Sequence, residues 1–307
     1  MPHRSTPARC NKSPHESQTA PCANDLYLKP DRAMRRSSSI ILAAMVAISL
    51  STGLVVLLRA HDVRSDTDPD LVDLPPGIFS YRSSGEFTRD GFPISAPVKR
   101  VTLVGRLLIM KHQVTSAEYR RCVQARACPM LDLNEAADDL PAVKMNWLDA
   151  TAYAKWLSGV SGVTYRLPTD EEWAYAAASR FADDAAAAVD GKVDPGHRVL
   201  AEYTRSSDRE NAFEKKPRPI GSFGVNENGL LDVAGNVWEW TDTCYSRNSL
   251  NVGSEVGSST TYCGVRVIEG AHRMYLTDFL RDPKLGGCTT AVPPSNLGLR
   301  LVRGERV

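Results

Sequence analysis

The run from Ile40 to Leu58 (IILAAMVAISLSTGLVVLL) carries no charged side chain, and it constrains the chain more than any other feature. As a helix rising about 1.5 Å per residue it would reach about 28 Å, close to the roughly 30 Å hydrocarbon core of a bilayer. A core helix of that length would show a polar stripe, and this run has none. Upstream lie Arg4, Arg9, Lys12, Lys29, Arg32, Arg35 and Arg36 against Glu16, Asp25 and Asp31. Downstream come Asp62, Asp66, Asp68, Asp70 and Asp73. The bias of basic residues toward the cytoplasm puts the N-terminus inside and everything after Arg59 outside. A cleaved signal peptide starting at Met34 is the rival reading, but the run ends in Leu57-Leu58-Arg59 with no small-x-small cleavage motif. The Arg35-Arg36 pair sits in a poor context for a twin-arginine signal. The expectation is an inner-membrane, single-pass protein with its main domain in the periplasm. It divides into a disordered cytoplasmic tail (1–38), a transmembrane signal anchor (39–59), a linker (60–75) and one continuous domain (76–307). Cys10 and Cys22 would then stay reduced thiols.

The chain as a whole is balanced in charge. Over the whole chain 37 Lys and Arg stand against 36 Asp and Glu, a net charge of +1. Nucleic-acid binders need a basic surplus to replace phosphate counterions, so no nucleic-acid partner is expected. With 19 Pro and 21 Gly the chain should be loop-rich rather than a helical bundle. Three helices have start signals. Thr115-Ser-Ala-Glu118 predicts a capping box opening a helix that ends near Ala127. Asn146-Trp-Leu-Asp149 opens a second, with Ala150, Tyr153, Ala154 and Leu157 on one face and Gly159 at its end. Thr169-Asp-Glu-Glu172 opens a third, with Trp173, Ala176 and Ala177 inward. Between and after them lie short extended pieces (VKRVTLVGRLLIM, VTYRL, GVRVIEG, LGLRLV) separated by polar loops. Few helices and many short strands imply an α+β fold.

Read in order, the domain contains PPGIFSYRSSGEF, HQVTSAEYRRCV, NWLDATAYAKWLS, TYRLPTDEEWAYAA, ENGLLDVAGNVWEWTD and SNLGLRLVR. This succession resembles the formylglycine-generating enzyme (sulfatase-modifying factor) superfamily, which also includes ergothioneine-type sulfoxide synthases and pyoverdine-maturation proteins. The match runs from about Pro76 to Arg303. Its most specific parts are RLPTDEEW (166–173) and GNVWEW (235–240), in that order. The resemblance implies a C-type-lectin-like α+β domain with much irregular structure.

In GLLDVAGNVWEW, Asp232 and Glu239 are hard oxygen donors flanking Ala234-Gly235-Asn236, which can turn tightly. Such a loop can aim carboxylates and carbonyls at one hard cation. The resemblance implies a calcium site formed by the side chains of Asp232 and Glu239 and the carbonyls of Gly235 and Val237. The plain alternative is a turn leading into a strand whose Trp238 and Trp240 pack inward. A second calcium site of the family would fall near Glu202 and the stretch before Pro219, where RENAFEKKPRP departs from the pattern. Glu172 reads as a capping carboxylate beside a core tryptophan rather than an acid-base group.

Formylglycine-generating enzymes oxidise a substrate cysteine with copper held by a Cys-x4-Cys pair, soft thiolate selecting Cu(I). The matching positions here are Thr277 and Asp282. The superfamily's iron motif, His-x3-His-x-Glu, is also missing, and His112, His197 and His272 stand far apart in sequence. Calcium is therefore the expected cofactor, and neither copper nor iron is. Cys122 and Cys128, six positions apart at a helix end, predict a disulfide in an oxidising compartment. Cys244 and Cys263 predict a second across SRNSLNVGSEVGSSTTY, read as a long polar loop. Cys288 is left over, or exchanges roles with Cys263.

The segment from Glu269 to Asp282 borders the substrate groove in the family. His272, Arg273, Tyr275, Asp278, Arg281 and Cys288 are the candidate groove residues, the alternative being a surface loop locked by Arg–Asp pairs. VRVIEGAHRMYLTDFLRD, followed by GGC and PPSNLG, resembles NirV-type proteins, a branch associated with nitrite-reductase maturation. The expected role is accessory: recognition of an exported protein client, with a copper-containing nitrite reductase as the candidate. Two other readings stay open. One is an oxidoreductase modifying a protein or peptide through another metal arrangement that uses Cys288. The other is a lectin-like ligand-binding module.

Overall fold

The computed structural model describes residues 68–132, 137–182, 200, 204, 216–251, 256–281 and 296–305. The apolar run at 40–58, Cys10, Cys22, His197, Glu202, Asp282 and Cys288 lie outside the described residues. Among the described residues no helix is long and apolar enough to cross a membrane.

The elements in chain order begin with six strands: β1 (Leu71–Leu74), β2 (Gly77–Arg82), β3 (Glu86–Arg89), β4 (Phe92–Ile94), β5 (Val98–Leu103) and β6 (Leu107–Met110). Helices α1 (Ser116–Gln124) and α2 (Trp147–Ser161), strand β7 (Tyr165–Arg166) and helix α3 (Asp170–Ala177) follow. After a 3-10 turn at Ala178–Arg180 come the strands β8 (Trp238–Leu250), β9 (Val256–Glu269), β10 (Met274–Thr277), β11 (Leu297–Gly298) and β12 (Val302–Arg303). One sheet runs β1-β6-β12-β7, a second β10-β9-β8-β3-β4 with β11 parallel to β8, and β2 pairs with β5 alone. Among the described residues, one mixed sheet and two antiparallel ones combined with α1, α2 and α3 make the expected α+β arrangement.

All three helices start where the sequence places them, because capping is a local reaction between a residue and the one three positions on. Thr115, Asn146 and Thr169 each accept from the backbone N–H of Glu118, Asp149 and Glu172, whose carboxylates accept in return from the cap amides. The ends differ from expectation. The first helix stops at Gln124, and the second passes through Gly159 to Ser161, where Gly162 at φ 74° closes it. A glycine inside a helix only weakens it, whereas a left-handed terminal residue nearly requires one.

The stretch SRNSLNVGSEVGSSTTY is not a loop in its described residues. It forms the arms of β8 and β9, paired antiparallel as Tyr245↔Tyr262, Arg247↔Thr260 and Ser249↔Ser258. Its Ser, Thr and Tyr residues suit a solvated hairpin, a strand pattern without the apolar alternation that advertises one. The Cys244–Cys263 disulfide is formed at its base, and Cys122–Cys128 ties the last turn of α1 to the segment that follows it.

The C-terminal segment ties the two large sheets together. Leu297 and Gly298 pair with β8, and Val302 and Arg303 pair with β6 and β7. Between them Leu299, Arg300 and Leu301 are fully buried. At Gly270 a Cβ would lie 2.6 Å from the Trp238 ring, so only glycine lets β9 end against that indole.

Candidate functional site

The loop before β8 is built by backbone turned against its usual preference. Asp232, Ala234 and Asn236 have φ of 57°, 58° and 64°. Such conformations persist where surrounding contacts over-determine them. Here Asp232 supplies the contacts, its two carboxylate oxygens accepting from the Gly221 and Phe223 amides. Asn236 adds a reciprocal pair with the Arg218 backbone, 2.9 Å in each direction. The alternating twist turns the carbonyls of Asp232, Gly235 and Val237 toward one buried point.

Gln113 Nε2 stands at that point. It lies 3.4 Å from the Asp232 carbonyl, 3.1 Å from that of Gly235, 3.5 Å from that of Val237 and 2.9 Å from Glu239 Oε1. Glu239 is fully buried, and both its oxygens are saturated. Besides Gln113, Trp173 Nε1 donates to Oε2 at 2.7 Å. Arg300 Nε and Nη2 donate to Oε2 and Oε1, both at 3.0 Å. The guanidinium also donates to the carbonyls of Met110, Lys111 and Leu231 at 2.8–2.9 Å, so each of its five N–H groups has an acceptor.

The residues expected to hold calcium are thus adjacent, but they do not fit the ion as they stand. The Asp232 carboxylate points away to two backbone amides, and its carbonyl joins the cluster instead. Glu239 has no lone pair left. The separations around Gln113 are hydrogen-bond lengths, longer than the roughly 2.3–2.6 Å of calcium–oxygen contacts. The amide also presents its positive NH2 end to the oxygens. Among the described residues no group of three or more His, Cys, Asp and Glu side chains is placed to hold a metal ion.

The five expected groove residues that are described, His272, Arg273, Tyr275, Asp278 and Arg281, do not converge on one point. His272 and Arg273 are buried, His272 edge-on to Trp238 at 5.7 Å between ring centres. Arg273 donates to Glu269 at 2.8 Å and to the Arg82 carbonyl at 3.0 Å, and pairs with Asp170 at 3.1 Å. Tyr81 donates its hydroxyl to the same Asp170, and the Arg273 guanidinium lies 5.3 Å from the Tyr81 ring centre. Burial opposes the Arg273 charge, but Asp170 and Glu269 outweigh it and hold the pKa above the ordinary arginine value. Burial first, then Asp170, pushes the Tyr81 phenol up. Tyr275 accepts from the Gly85 amide at 2.6 Å and packs on Tyr245. The Asp278 backbone accepts from the Trp147 amide and donates to the Gly264 carbonyl, both at 3.0 Å. Arg281 clasps Asp149 at 2.6 and 2.8 Å. The segment is thus tied down through Arg–Asp pairs, as in the alternative reading, though His272 and Arg273 lie in the interior.

Sequence reasoning missed Gln113, Arg300, Asp170, Tyr81 and Glu269 as members of these clusters. One signal was visible: Arg300 is a charge inside the apolar run LGLRLV, and buried charge requires a partner. Nothing local marks Gln113.

A family description, "Sulfatase-modifying factor enzyme 1-like domain", matches residues 59–305. The formylglycine-generating enzyme of Streptomyces coelicolor is 30% identical over 168 residues, 52% of this chain and 51% of that protein. The inactive C-alpha-formylglycine-generating enzyme 2 of Mus musculus is 33% identical over 117 residues, 35% of this chain and 33% of that protein. The chain spans about half the length, or less, of these two curated relatives. The solved structure of PvdO from Pseudomonas aeruginosa shares the fold, with a TM-score of 0.50 and 21% identity over 78% of this chain and 95% of that one.

Proposed function

Because this chain belongs to the sulfatase-modifying factor enzyme 1-like family, we propose that it is a member without the copper chemistry, acting as an accessory factor in the maturation of an exported protein. The state of its cysteines carries the reading. All four described cysteines are consumed in the disulfides Cys122–Cys128 and Cys244–Cys263. The positions that the resemblance assigns to the copper thiolates are Thr277, at the end of β10, and Asp282. A thiolate pair at that place is what would select Cu(I) and activate a substrate cysteine. A relative that itself bears the name inactive is consistent with a fold retained after its chemistry is gone.

Disulfides persist in oxidising compartments, which supports a periplasmic domain held by the apolar run at 40–58 as a membrane anchor. The client is an exported enzyme, with a copper-containing nitrite reductase as the candidate. Two measurements test this. The purified chain, given a cysteinyl peptide, copper and O2, is expected to form no aldehyde; aldehyde formation overturns the proposal. Loss of the chain is expected to lower the activity and copper content of the reductase, with rescue by the wild type and by Cys288→Ser alike. Rescue that requires Cys288 would favour the oxidoreductase reading instead.

A further inference from the structure

We infer that Gln113 takes, in this chain, the part that the family resemblance gives to calcium: its side-chain amide holds the 232–237 loop to Glu239, and the site needs no cation. The amide nitrogen contacts oxygens of four residues, between 2.9 and 3.5 Å away. With the amide reversed, Oε1 would face the lone pairs of those same four oxygens, an arrangement that only a cation between them would tolerate. Inward NH2 and a bound cation are therefore mutually exclusive.

The rest of the cluster is arranged for the ion-free state. The Glu239 charge is matched by Arg300, both fully buried, so a divalent ion would bring uncompensated positive charge next to a guanidinium. The shape of the loop is held by protein groups: the Asp232 carboxylate on two amides, Asn236 on Arg218, and the Gly235 and Val237 amides donating to the Asp232 and Gly235 carbonyls. The arrangement leaves a mark at the other end of the side chain, where Gln113 Oε1 is buried with no hydrogen-bond partner. An orphan acceptor is tolerated there because the two N–H groups at the nitrogen serve the Glu239 carboxylate at 2.9 Å and the Gly235 carbonyl at 3.1 Å, with the Asp232 and Val237 carbonyls at the margin of the same site.

The test compares the purified chain in chelator and in millimolar calcium. The unfolding temperature should agree within about 1 °C, and metal analysis should find no stoichiometric calcium. One calcium per chain, or a fall of several degrees on chelation, overturns the inference without any variant. Gln113→Glu sets a second carboxylate beside Glu239 and should create calcium dependence. At calcium 100-fold above the dissociation constant the unfolding temperature of that variant should rise by roughly 5–10 °C. A folded Gln113→Glu that ignores calcium would show that Gln113 is not what excludes the ion. If the variant does not fold even with calcium, the wild-type comparison decides alone.

Discussion

Arg300 and Glu239 form a bidentate ion pair in which neither side chain has any exposed surface, with both N···O distances at 3.0 Å. Removing one partner of such a pair strands the other charge in the interior. Arg300→Met should therefore destabilise the protein by about 3–5 kcal/mol. Adding Glu239→Gln should recover part of that loss, since the stranded charge is then gone. Urea unfolding of the two variants measures both, and strictly additive losses would contradict the coupling.

Glu172 caps α3 through the Thr169 amide at 2.7 Å and holds Arg166 bidentately, with both contacts at 2.7 Å. These contacts employ the whole carboxylate in structure. Glu172→Gln should lower stability by about 1–3 kcal/mol while leaving client rescue intact wherever the variant stays folded. A folded variant with normal stability but no rescue would point to an acid-base role instead.

Alkaline pH should destabilise the fold. Burial raises the phenols of Tyr81, Tyr119, Tyr153 and Tyr165 above their ordinary 10.0, with Asp170 adding to the shift at Tyr81 and Asp68 at Tyr165. In the unfolded chain they ionise near 10.0, so above that pH the folded state holds more protons. The stabilisation is complete below about pH 10 and drains as pH rises beyond it, by up to about 1.4 kcal/mol per pH unit for each such phenol. Urea midpoints from about pH 9 to about pH 11 should fall accordingly, and a flat profile would contradict the burial of these groups.

The two disulfides should contribute unequally. They close loops with sequence separations of 6 and 19. Chain entropy then gives about 2 kcal/mol for Cys122–Cys128 and about 3 kcal/mol for Cys244–Cys263. Paired serine variants compared in urea test the ranking. A larger loss at Cys122–Cys128 would mean that filling its buried position outweighs loop closure.

The helix starts at Thr115, Asn146 and Thr169 were legible because a cap and its partner stand three residues apart. The ordered motifs RLPTDEEW and GNVWEW disclosed the family for a related reason: each is a contiguous string. The β8–β9 hairpin was not legible, since its Ser- and Thr-rich arms bury too little to show an apolar alternation. The interior placement of His272 and Arg273 was likewise not legible, because a polar residue in a sequence does not disclose whether its partners wait in the interior. For Arg273 they did, in Asp170 from α3 and Glu269 from β9.

By itself the sequence determined what is local: the helix starts, the tight turn before β8 and the nearby cysteine pair at the end of α1. Tertiary structure alone decided what occupies the point where the loop carbonyls meet. Gln113 and Glu239 are 126 positions apart and Glu239 and Arg300 61 apart, so their meeting follows from the packing of β6, β8 and the C-terminal crossing segment. A buried carboxylate takes whichever donors that packing delivers, and here it delivers an amide, an indole and a guanidinium.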